Sequence, residues 1–350
     1  MKKMMTGILA ATMIMALTAC GSSGSASSSG SAAAAETKAA EGSAEGGSTD
    51  VDWPTKTVTV VVPYKAGGDT DSYCRALFTR AGEKLGETFV VTNVEGGSGM
   101  IAAMDVMGKA PDGYTILFNH TGASLVQEAT GTAEFSYTND FDNCCTVVQD
   151  STYALMCVSP TGEYGKYSRG WENLEDMLAD AKANPGVLRY STVYGSTTEY
   201  VGRRLESEAG VQFDNIDVGT STGDRLAALL GGQIELVAVN YMNVADYVDS
   251  GDLICLGIMS EEHIDSIPTP TFREQGYDVV NAKKYEVKFP KGTDPAIIQK
   301  LADVAEDIVL NDASFKEDVE KFYAEPMWRD AATMNTEDPA EVEELKAFMQ

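Results

Sequence analysis

Histidine is nearly absent from this chain, with two among 350 residues, and the six cysteines form no C-x-x-C pair. A zinc site built on clustered Cys and His is therefore not expected. Cationic residues are scarce: 26 Lys and Arg stand against 53 Asp and Glu, for a formal net charge of −27. Nucleic-acid binding is not expected, because neutralising phosphates takes clustered Lys and Arg. Excess negative charge of this kind serves solubility. Residues 8–17 (ILAATMIMAL) are too short to cross a bilayer, which takes roughly 20 apolar residues, and no second run reaches that length. Hydrolase motifs are not expected: no G-x-S-x-G is recognised, and His120 and His263 lack an evident nucleophile partner.

What is present begins at the N-terminus. Lys2 and Lys3 precede the apolar run, which ends in Leu17-Thr18-Ala19-Cys20. Residues 1–19 read as a signal peptide. The end of the run resembles the lipobox of bacterial lipoproteins, which implies diacylation of the Cys20 thiol and cleavage before it. Residues 21–50 are almost entirely Gly, Ser, Ala, Thr and Glu. Such a segment buries little apolar surface and reads as a disordered tether, so residues 20–52 are taken as anchor and linker. Five further cysteines follow. Cys74, Cys157 and Cys255 sit in apolar runs and are expected as buried free thiols, and the adjacent Cys144 and Cys145 are not expected to bridge each other.

The remainder, about 300 residues, is long enough for two modest domains. Residues 57–62 (TVTVVV) read as a buried strand, followed by the loop Tyr64-Lys65-Ala66-Gly67-Gly68. A helix capped at Asp69 or Thr70 then runs to Gly86. Strand 88–92 leads into Gly96-Gly97-Ser98-Gly99 and a short helix. Strand 114–118 runs into a polar loop, residues 119–124. Strands separated by helices imply parallel pairing with right-handed crossovers, and the loops leaving their carboxyl ends are where open α/β sheets bind ligands. A second block repeats the pattern: strand 153–158, helix 171–184, strand 188–192, the loop from Tyr194 to Glu199, a loop spanning 219–223, and strands 234–239 and 253–259. From Pro295 the tail is helical and is expected to return to the first domain. Two α/β lobes with facing Gly/Ser/Thr loops describe a cleft between domains.

An ordered set of motifs resembles the substrate-binding proteins of tripartite tricarboxylate transporters, the TctC or Bug receptor family. It runs from Trp53-Pro54 through Val62-Pro63-Tyr64, Gly67-Gly68-Asp69-Thr70-Asp71, Arg75, Asn93, Gly96-Gly97-Ser98-Gly99 and Pro111-Asp112-Gly113-Tyr114-Thr115. It continues through Tyr190-Ser191, Gly195-Ser196, Leu229 to Gln233, Ile267 to Phe272, Glu274-Gln275-Gly276-Tyr277 and Pro290 to Pro295. The resemblance implies an α/β, two-lobed periplasmic-binding-protein fold of type II with the ligand cleft between lobes. Lobe 1 is expected over residues 53–154 and 277–350, and lobe 2 over residues 155–276.

The same resemblance implies a monomeric extracytoplasmic receptor, not an enzyme, without cofactor or metal. It would bind a small carboxylate or amino acid and deliver it to the membrane permease subunits of the transporter, held at the membrane by a lipid on Cys20. The ligand set it implies is Tyr64, Gly67, Gly68, Thr70 and Asp71, then Gly97, Ser98 and Gly99, then Thr121 and Ser124. From the second lobe it adds Gly195, Ser196, Thr197, Thr220 and Ser221. Asp71 has the alternative of ordering its own loop, and each hydroxyl that of a helix cap. Where many members of the family carry histidine, this chain has Glu199, counted here as a candidate ligand contact. A carboxylate there would favour a solute with an amino group, unless it points to solvent. Two rival readings remain: a receptor of an ABC-type importer, which would share fold and cleft, and a dinucleotide-binding enzyme. Gly97-Ser98-Gly99-Met100-Ile101-Ala102 fits G-x-G-x-x-A, but the acidic residue wanted about twenty positions on is missing.

Overall fold

The computed structural model describes residues 51–219 and 221–349. Cys20, the expected signal peptide and linker up to residue 50, and Thr220 lie outside the described residues. The chain enters a six-stranded sheet at β1 (Val58–Val62), whose valines are buried in the sheet centre. Each fully buried Val side chain contributes about 1.5–3 kcal/mol. Next come α1 (Asp69–Leu85), β2 (Phe89–Asn93), a 3₁₀ turn (Gly97–Gly99) continuing into α2 (Met100–Met107), β3 (Thr115–His120), α3 (Thr121–Thr130) and β4 (Phe141–Asp150). β1 pairs in parallel with both β2 and β3, as expected of strands joined by helices. Helix α1 stops where Gly86 takes φ 77°, its N–H closing onto the Gly82 carbonyl, the left-handed cap that glycine adopts without strain.

The second lobe holds β5 (Tyr153–Val158), α4 (Leu174–Ala183), β6 (Arg189–Ser191), α5 (Thr197–Ala209), β7 (Asp214–Ile216), α6 (Thr222–Leu230), β8 (Val237–Asn240), α7 (Ala245–Asp249) and β9 (Leu253–Ile258). β6 and β7 are parallel. The central sheet, in the order β8-β5-β9, is antiparallel throughout. This departs from the parallel repeat of the first lobe expected from the sequence. Tyr153 and Ala154, expected in the first lobe, pair with Asn240 and Val239 in this sheet. Val279 and Tyr277 likewise pack in the second lobe's core, beside Phe272 and Tyr190.

The chain returns through β10 (Lys283–Pro290), then α8 (Pro295–Asn311), α9 (Ala313–Glu320), β11 (Glu325–Asp330) and α10 (Ala331–Met349). β10 runs antiparallel between β3 and β4, completing the order β11-β4-β10-β3-β1-β2. Ile297, Leu301, Ala305 and Ile308 of α8 fall on one helical face and join the core under β1 and α1. That helix starts with Asp294 accepting from the Ala296 N–H at 2.9 Å and with Pro295 in its first turn. Cys74, Cys144, Cys145, Cys157 and Cys255 are all free thiols, the first four buried. No helix among the described residues is long and apolar enough to cross a membrane.

Candidate functional site

A cavity of about 420 Å³ lies between the lobes, and helix N-termini from both converge on it. Its lining includes Gly68 and Asp69 at the start of α1, Ser98 and Gly99 ahead of α2, and Gly122 and Ala123 at the start of α3. The second lobe adds Ser196, Thr197 and Thr198 at the start of α5, and Ser221 to Arg225 at the start of α6. Each N-terminus presents the positive end of a helix dipole, with part of its N–H groups capped, as at Thr70, Thr198 and Asp224. Together they suit an anionic solute.

The first-lobe loops are fixed from behind. The Asp71 carboxylate accepts from the Gly67 N–H at 2.9 Å, from Asn93 Nδ2 at 3.0 Å and from both Arg75 Nε and Nη2. It orders the loop and does not line the cavity, which is the alternative that its position at the start of α1 left open. The next loop turns through left-handed φ values at Gly96, Gly97, Ser98 and Gly99. A side chain at Gly99 would press on Pro63 and on the Tyr64 hydroxyl. The Ser98 carbonyl accepts from Gln127 Nε2 at 3.0 Å, and Gln127 Oε1 accepts from the Tyr137 hydroxyl at 2.9 Å. The Tyr64 ring stacks on His120 with centroids 4.9 Å apart. Burial, with the Lys283 ammonium adding to it, pushes the His120 imidazole down to about 3, against the Asp69 carboxylate. The imidazole is therefore neutral at physiological pH.

The floor of the cavity is a chain of polar groups that sequence reading missed. Asp69 Oδ2 accepts from Lys283 Nζ and from the Tyr285 hydroxyl, both at 2.7 Å. Lys283 Nζ also donates to Asn240 Oδ1 at 2.5 Å, and Asn240 Nδ2 donates to Asp150. Asp150 Oδ1 accepts from the Thr152 N–H at 2.8 Å and the Thr152 hydroxyl at 2.6 Å. Burial alone would raise the Asp69 carboxyl, but Lys283 and the two hydrogen bonds hold it well below the usual carboxylate range. Burial would likewise lower Lys283, yet Asp69 and Asp150 keep it above its ordinary value. This network joins α1, β4 and β10 of one lobe to β8 of the other, where the chain crosses between them.

Of the residues expected from the sequence, Tyr64, Gly67, Gly68, Ser98, Gly99, Ser196, Thr197 and Ser221 line the cavity. Thr70, Gly97, Thr121, Ser124 and Gly195 do not. Thr70 and Ser124 are fully buried, and the Ser124 hydroxyl donates to the His120 carbonyl at 3.0 Å. Thr121 Oγ1 accepts from the Lys284 N–H, and Gly195 packs on Thr132. Glu199 also stays out of the cavity: its carboxylate accepts from the Gly195 N–H at 2.8 Å and from Arg203 at 2.8 Å. It is buried and so does not point to solvent. Asp69, His120, Tyr153, Arg225, Asn240 and Lys283 line the cavity and were not expected to.

The expected absence of a G-x-S-x-G hydrolase signature is incorrect, because residues 219–223 spell it. Here Ser221 caps α6: its hydroxyl donates to Asp224 Oδ2 at 2.6 Å and accepts from the Asp224 N–H at 3.1 Å. No histidine hydrogen-bonds to it among the described residues.

The model of the tripartite tricarboxylate transporter family receptor (TctC) matches residues 74–348. A UPF0065 protein of Cupriavidus necator is 30% identical over 283 residues, covering 79% of this chain and 81% of the relative. The BugT protein of Bordetella pertussis is 28% identical, covering 75% of this chain and 79% of its own length. The MatC protein of Rhodopseudomonas palustris, in a structure with bound malate, superposes with a TM-score of 0.74 at 21% identity, covering 85% of this chain and all of the other. The chain thus belongs to the tripartite tricarboxylate transporter receptor family, the TctC or Bug receptors, whose members are extracytoplasmic solute receptors.

Proposed function

We propose that this receptor binds a small organic carboxylate and presents it to the permease subunits of a tripartite transporter, as a monomer and without catalysis. The observation that carries this reading is the convergence of helix N-termini and hydroxyls from both lobes on one cavity. Of the acids in the cavity wall, Asp69 is taken by Lys283 and Asp224 by Ser221, which leaves the exposed Glu95 as the carboxylate open to an ammonium group on the solute. The malate in the MatC structure is in keeping with a carboxylate solute. Lining residues of both lobes, from Gly68 to Thr197 and Ser221, are the proposed contacts.

A thermal-shift screen of carboxylates and amino acids tests the reading. A solute at 100 times its dissociation constant adds about 2.7 kcal/mol of stability. Stabilisation by carboxylates but not by their amides is the expected result. Failure of every carboxylate would remove the proposal.

The lipid anchor on Cys20 is proposed from the lipobox resemblance. Fatty-acid labelling of cells expressing the full chain should mark the wild type and not Cys20→Ser. Equal labelling of both would end that part of the reading.

A further inference from the structure

Four cations are buried among the described residues: Arg225, Lys283, Lys288 and Arg329. Three have a carboxylate partner. Lys283 meets Asp69 at 2.7 Å, Lys288 meets Glu286 at 3.1 Å, and Arg329 meets Glu286 at 2.9 Å and Asp338 at 3.0 Å. Arg225 has none. It is 6% exposed and lies in the first turn of α6, in the cavity wall. Its guanidinium donates to Thr222 Oγ1 at 3.1 Å and, weakly, to the Ala238 carbonyl at 3.4 Å, while Nε has no partner. The neighbouring acid, Asp224, is turned to Ser221.

A buried guanidinium with most of its donors unused and no counter-charge is costly to hold. The cost is recovered when an anion arrives, and a carboxylate matches the fork of N–H groups in both shape and charge. The remaining helix N-termini of the cavity already offer neutral N–H groups for one carboxylate. Arg225, which shares the second-lobe wall with Asn240 and Asn243, offers a full positive charge for another.

We infer that Arg225 is a specificity-determining residue, whose guanidinium pairs with a second anionic group of the solute and so selects dicarboxylates over their monoamides. This rests on the reading of the cavity as a carboxylate site.

The test is titration calorimetry on the full chain with succinate, glutarate and adipate and with the monoamide of each. Wild type should bind the diacid of fitting length at least tenfold more tightly than its monoamide. Arg225→Gln should lose that preference through weaker diacid binding, and Arg225→Lys should keep part of it. Equal binding of diacid and monoamide by wild type overturns the inference and leaves the carboxylate reading intact. So does an unchanged preference in Arg225→Gln. If that variant does not fold, the wild-type ratio and Arg225→Lys still decide. No binding of any acid or monoamide overturns the carboxylate reading itself, and the inference with it.

Discussion

Across the cleft, the Thr197 hydroxyl of α5 donates to the Gly122 carbonyl of α3 at 2.5 Å. The two lobes meet here closely enough that a Cβ on Gly122 would run into that hydroxyl and come within 2.9 Å of Lys283 Cγ. Gly122 sits in a helix, where alanine is favoured over glycine by about 1 kcal/mol. Gly122→Ala should therefore wedge the lobes apart, while the push on Lys283 offsets that helix gain within the first lobe. Small-angle scattering should show loss of solute-dependent compaction, and affinity should fall at least tenfold. A variant that binds and compacts like the wild type would show that this contact is not needed for closure.

The first three strands were legible because Val58 to Val62, Phe89 to Asn93 and Thr115 to Phe118 are apolar runs set between glycine-bearing loops. Strand β10 was not. Its residues Lys283, Glu286 and Lys288 are buried, yet charged residues read as exposed in a sequence. Their burial depends on Asp69, Arg329 and Asp338, which are remote in the chain. The cavity shows the same division. The Gly/Ser/Thr loops announce themselves by composition, whereas Lys283, Asn240 and Arg225 have no local signal. Glu199 shows the converse: its position in a loop motif was visible, but not its turn back to Gly195 and Arg203.

Lys283→Met should destabilise the protein by about 3–5 kcal/mol, the range for removing one partner of a buried ion pair. The change leaves Asp69 and Asp150 without the ammonium between them. Adding Asp69→Asn should recover part of the loss, because the stranded charge is then gone. Urea unfolding of the single and double variants measures this. Strict additivity of the two changes would mean that the pair does not act as a unit.

His120 sets an acid limb on stability. Its imidazole titrates near 3 in the folded protein and near 6.5 in an unfolded chain. Between those values the unfolded state binds a proton that the folded state refuses, so stability falls as pH drops through that window and is intact above about 6.5. His120→Gln removes this dependence. The variant should lose stability at pH 7 through loss of stacking on Tyr64. Its deficit should shrink by about 1.4 kcal/mol for each pH unit below 6.5. Urea midpoints from pH 4.5 to 7.5 provide the check, and a constant deficit would place the imidazole's titration in the ordinary range.

Asp338 should act with the opposite sign. It is fully buried in α10 beside Glu286, Lys288 and Arg329. Burial first, and then the Glu286 carboxylate, push it up to about 7, against the pull of Lys288 and Arg329. An unfolded aspartate titrates near 3.9. From about pH 4 to 7 the folded state holds a proton that the unfolded state has released, so this residue's contribution to stability declines as pH rises. Asp338→Asn carries no such decline, and it should gain on the wild type between pH 5 and 7 in urea unfolding. A stability gap that stays constant over that range would mean that Asp338 is ionised throughout, with Lys288 and Arg329 outweighing both its burial and the Glu286 charge.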